Sequence, residues 1–147
     1  PSAGSKKCVG AMVFMYCPLL IGELVLQKKV LWITSHVQHI AKSLARFEIH
    51  SKQNLYIEVP VGRLYPYTKE PIDKLIKRIR GEMDSANYDI AVVGCGALGK
   101  VLAHHAYMSG KCGIDAGSFM SVLVGRSDRL CFKDGGEFQH LFQLKDE

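Results

Sequence analysis

Short runs of aliphatic and β-branched residues alternate along the chain with longer segments whose apolar positions recur every three or four residues. Val30 to Thr34 (VLWIT), Asn54 to Val59 (NLYIEV), Ile90 to Val93 (IAVV) and Lys111 to Ala116 are too short for helices and rich in β-formers, so they read as strands. Between them the period lengthens. Val37, Ile40, Ala41, Leu44 and Phe47 predict a helix from about Val37 to Arg46, with Ser35 placed to cap it. Pro71 suits a first helical turn, and Ile72, Leu75, Ile76, Ile79 and Met83 give the next helix an apolar face opposite Lys74, Lys77, Arg78 and Arg80, closed by Asn87. A third helix is expected from about Ala97 to Met108, with Val101, Leu102, His105 and Ala106 inward and Gly110 as its C-terminal glycine. A further helix from about Leu19 to Gln27 precedes the first strand, and Gly117 with Ser118 opens a last turn or helix through Val124.

This alternation predicts one α/β domain over residues 1–147, built as a three-layer Rossmann-like parallel sheet of about four to five strands. Residues 1–18 read as an irregular or apolar lead-in, Arg63 to Thr68 as a loop, and residues 126–147 as a loop followed by a short helix from Glu137 to Leu144. In such sheets the ligand sits beyond the carboxyl ends of the strands, where the winding reverses. If the first strand winds outward to the second and the chain then crosses back, the reversal falls between Val30–Thr34 and Ile90–Val93. Thr34, Ser35 and His36 would then face Gly94, Cys95 and Gly96.

Composition narrows the partners. The net charge of +5 and pI near 9.0 favour anions, but the lysines and arginines are scattered, which argues against nucleic acid and leaves nucleotide phosphates as sufficient reason. The five cysteines are odd in number and form no CxxC pair, so no zinc site or disulfide framework is expected and a cytoplasmic setting is the default. Cys8 to Leu26 is apolar, yet Pro18, Gly22 and Glu23 interrupt it, so it is read as buried structure rather than a membrane span. The same stretch, Val9 to Leu26, could instead pair with a copy of itself, which keeps a homodimer and a non-enzymatic interaction domain among the readings.

The candidate chemistry centres on GCGALG, Gly94 to Gly99, flanked by a strand and a helix. Glycines there let backbone N–H groups approach a phosphate, and the helix start adds partial positive charge; alternatively Gly94 and Gly96 only permit a tight turn and Gly99 close packing. The pattern matches GxGxxG, and Asp115 lies at the end of the next strand where a ribose-binding acid would sit, so an NAD(H)-binding oxidoreductase or regulator is one reading. His36 could serve as acid, base or phosphate donor, or only as a cap. Cys95 lies near a helix start, which would lower a thiol pKa. His104 and His105 are adjacent on a helix and point to different faces, so they form no i, i+4 metal pair.

KKVLWIT together with YDIAVVGCGALGKVLAHHAYMSGKCGIDAGSFMSVLVG resembles the C-terminal half of the bacterial glycosyltransferases of the GT-D fold. Asp89 to Gly99 stands where that family has DIALxGCGAxG. Ser109 to Lys111 stands for its LGK, Gly117 with Ser118 for its paired-glycine turn, and Val124 with Gly125 for its terminal FG. The likeness runs from about Leu19 to Arg126. It implies a nucleotide-sugar donor, a divalent metal (Mn or Mg) on the diphosphate, and transfer to an acceptor hydroxyl. On that resemblance Gly94, Gly96 and Ala97 would present amides to the diphosphate, Ser35 and His36 would complete its cradle, and Asp115 would contact ribose or acceptor. The family has a histidine where Asp115 stands, and its acidic FGDGEF motif belongs near the N-terminus, where this chain has none. FKDGGEF, Phe132 to Phe138, is similar but far along the chain. Asp134 and Glu137 are either metal ligands folded back over the site or part of an exposed turn, and a chain without the metal motif could bind nucleotide without transferring sugar.

Overall fold

Burial dictates the layout: four strands buried unequally, flanked by helices that each hide one stripe. A computed structural model of the protein describes residues 19–60 and 70–125. Residues 19–25 form helix α1, followed by β1 (Lys29–Thr34), α2 (Val37–Arg46), β2 (Gln53–Glu58), α3 (Ile72–Ser85), β3 (Ile90–Gly94), α4 (Leu98–Met108), β4 (Cys112–Asp115) and α5 (Phe119–Leu123). The predicted 1–18 lead-in, the Arg63 to Thr68 loop, the Glu137 to Leu144 helix, and Asp134 lie outside the described residues.

The four strands form one all-parallel sheet in the order β2-β1-β3-β4. The three-layer Rossmann-like α/β architecture expected from the alternation is therefore the fold of this chain. β1 and β3 are central and read as continuous apolar runs because both of their faces are covered. On one face Leu31, Ile33, Ala91 and Val93 pack against α3 and α4 through Leu75, Ile79, Met83 and Leu102. On the other, Val30, Trp32, Ile90 and Val92 meet α1, α2 and α5 through Val25, Ile40, Leu44 and Phe119. Fully burying each such side chain contributes roughly 1.5–3 kcal/mol. Trp32 also donates its indole N–H to Asn54 Oδ1 at 2.7 Å, a cross-strand tie between β1 and β2.

Three local expectations shift. Residue 36, not Ser35, holds the N-cap position of α2, and no side chain caps that helix; Thr34 Oγ1 instead accepts the His36 N–H at 3.2 Å. α3 ends at Ser85, before Asn87, because Ala86 is already extended. His105 turns from the α4 core to Asp84 of α3, its Nε2 at 2.8 Å from Oδ1, while Leu98, Gly99 and Ala103 join the buried stripe. Gly110 closes α4 in the left-handed region, with φ of 72°, a conformation that glycine adopts without strain.

Candidate functional site at the winding reversal

The chain leaves β1 through α2 toward one edge of the sheet and leaves β3 through α4 toward the other, so the reversal lies between these two strands. α2 and α4 cover opposite faces. Adjacent strands whose helices diverge this way open a crevice beyond their carboxyl ends. Thr34 pairs in register with Gly94, so Ser35 and His36 lead away from one tip as Cys95 and Gly96 lead away from the other. The two tips anticipated from the sequence are thus neighbours.

Each wall has a local cause. Gly96 has φ of 62°, a left-handed conformation that favours glycine, and its carbonyl accepts the Gly99 N–H at 3.0 Å, closing the turn into α4. Gly96 and Ala97 are exposed at the head of that helix. Ser35 and His36 are half-buried, and His36 Nε2 lies 3.3 Å from Ser121 Oγ of α5, tying the β1 exit to the roof. Gly94 acts through packing instead, because a Cβ there would overlap Met120 of α5 and its bare backbone makes the room. Gly99 likewise admits the Asp115 carboxylate, which a Cβ would overlap. Asp115 Oδ1 in turn accepts the Gly117 N–H at 3.0 Å.

Electrostatics favour an anion in this crevice. Among the described residues neither α2 nor α4 has a side-chain cap, and neither carries an acidic residue in its first turn. Both helices therefore begin without a side-chain cap and with partial positive charge at their starts, although at α4 the Asp115 carboxylate lies against Gly99. Lys100, exposed in the first turn of α4, adds a cation where the helix dipole disfavours one. Sequence reasoning missed Lys100, although a lysine directly after GCGALG was the available signal. The thiol of Cys95 departs from expectation. Burial, and secondarily the Asp115 charge, push it up to about 12, opposite to the lowering expected from a helix start. Cys95 is buried here, and its surroundings favour the neutral thiol.

Among the described residues no group of three His, Cys, Asp or Glu side chains gathers, around Asp115 or elsewhere. Asp134 and Glu137 lie outside the described residues. A cavity of about 790 Å³ lies elsewhere, between β2 and α3, lined by Leu31, Leu55, Ile57, Arg78 and Glu82 among others. It contains none of the residues of the crevice.

A doubly wound parallel domain whose winding reverses between β1 and β3 is the class these observations define. The chain belongs to the GT-D fold-like domain family, whose family model matches residues 12–123. The match takes in all four strands, and it establishes a glycosyltransferase-like domain. No curated protein and no solved structure matches the chain. Among the described residues no helix is long and apolar enough to cross a membrane.

Proposed function

We propose that this GT-D fold-like domain binds a nucleoside diphosphate sugar in the crevice between β1 and β3, with glycosyl transfer to an acceptor hydroxyl as its activity. The observation that carries the reading is the convergence of two uncapped helix N-termini, those of α2 and α4, on adjoining strand tips in a chain of this family. In this reading the amides of Gly96 and Ala97 and the side chains of Ser35, His36 and Lys100 hold the diphosphate. Gly94 and Gly99 serve by letting Met120 and Asp115 close around them.

Transfer would break the bond between the sugar's anomeric carbon and the diphosphate oxygen and form one to the acceptor oxygen. The departing diphosphate gathers negative charge, which preorganised amides and a lysine stabilise without reorganisation. His36 is the candidate to take the acceptor proton, since an imidazole can change state near neutrality. A divalent cation on the diphosphate would enter the proposal through Asp134 and Glu137, whose carboxylates suit a hard cation.

Calorimetric titration with uridine diphosphate sugars, with and without Mn²⁺, tests the reading. Saturable binding at one site per chain is expected. Absence of binding to any of them under both conditions would overturn it, and NAD(H) retained through purification would favour the dinucleotide alternative instead.

A further inference from the structure

Asp115 brings a negative charge to a crevice otherwise arranged for an anion. Its carboxylate lies against Gly99, in the first turn of α4, in the direction a Cβ would take. Because Cβ bonds tilt toward a helix's N-terminus, that direction is the side of the helix nearest its leading amides. The Gly117 N–H holds Oδ1, which fixes the group in place. Its field also reaches the glycine turn, since it contributes to raising the Cys95 thiol just past the end of β3. Asp115 itself is exposed and therefore accessible to a ligand. A fixed carboxylate there repels phosphate yet accepts a hydrogen bond from a hydroxyl, whereas Lys100 can only donate and attracts phosphate, and Ser35 and His36 can each donate to it.

Resting on the nucleotide-sugar reading, we propose that Asp115 is the specificity-determining residue that orients the ligand. The diphosphate lies on the β1 side, over Ser35, His36 and the Gly96 and Ala97 amides, and a hydroxyl-bearing ring lies over the tip of β4, donating to Asp115. The site thereby discriminates against ligands that are phosphate alone.

The test compares inorganic pyrophosphate with uridine diphosphate glucose, titrated into the wild-type chain and Asp115→Asn, with Asp115→Ser as a second variant. Asparagine keeps an oxygen for the Gly117 N–H, so thermal melts are expected to coincide. Removing the charge should tighten pyrophosphate binding by about tenfold and weaken the nucleotide sugar by about tenfold, a divergence set by lost repulsion on one side and a lost charged hydrogen bond on the other. If both ligands bind the wild type and both variants leave their affinities unchanged, or move them together, the Asp115 assignment falls while the nucleotide-sugar reading stands. If neither ligand binds any of the three proteins, the nucleotide-sugar reading falls and takes this one with it.

Discussion

Two regions among the described residues, the cavity between β2 and α3 and the crevice at the tips of β1 and β3, differ in what their polar groups have left to do. The cavity between β2 and α3 is roomy, at about 790 Å³, but its cation is already engaged: Arg78 pairs with Glu82 at 2.7 Å and Glu70 at 3.4 Å, and the Glu82 hydrogen bond raises its pKa further. Its floor of Leu31, Leu55 and Ile57 is the rim of the hydrophobic core. The crevice at the tips of β1 and β3 is built instead from backbone dipoles that no described side chain caps. The contrast teaches that volume and binding chemistry are separable. Space opens where a helix crosses an edge strand, whereas affinity for an anion needs donors that the protein leaves unused.

Substitutions can break or sharpen that contrast. The largest effect is expected from Gly96→Val, which forces a β-branched residue into φ of 62° and crowds the leading amides of α4. Calorimetry should show nucleotide-sugar affinity falling by about a hundredfold, since hydrogen bonds to charged groups are worth roughly 1.5–3 kcal/mol each. Ser35→Ala and His36→Ala should each cost about tenfold in the same titration, one charged hydrogen bond's worth. Gly94→Ala should leave the amides alone and act through packing, destabilising the fold by about 1–3 kcal/mol in urea melts because Met120 must shift.

The pH dependence follows from Cys95. Its folded pKa, about 12, lies above that of the unfolded thiol, so the unfolded state releases the proton first. The resulting contribution is fully present below the unfolded value and declines as pH rises between the two, and Cys95→Ala should flatten that alkaline decline. The smallest effect belongs to the other cavity: Arg78→Ala removes exposed ion pairs, so it should change stability by at most about 1 kcal/mol and leave nucleotide titrations unmoved. A large loss of nucleotide affinity in Arg78→Ala would reverse the assignment of the two concavities.

Much of the fold was legible because its signals are local. VLWIT and IAVV are buried on both faces, so they carry no alternation and stand out as unbroken apolar runs. α3 announced itself through Leu75, Ile79 and Met83 at helical spacing, all of them buried. GCGALG marked a strand, turn and helix start correctly, and the lack of acids in the first turns of α2 and α4 was readable as well.

The roles inside that motif were not readable, because they depend on partners far along the chain. Gly94 answers to Met120, and Gly99 to Asp115. Cys95 looked activated by its helix, but desolvation outweighs the dipole once its own side chain is buried. At α2 the cap expected of Ser35 gave way to a local contact instead, with Thr34 Oγ1 accepting the His36 N–H two residues on.

Local periodicity and glycine placement determined the succession of strands and helices along the chain, whereas the sheet order that puts the reversal between β1 and β3 came from the tertiary structure. Which glycine faces a ligand, which a side chain, and which carboxylate shares the crevice were decided only when β4 and α5 folded back over the tips. Secondary structure is a property of neighbours within a few residues, whereas a site is assembled from segments that meet through chain closure and burial.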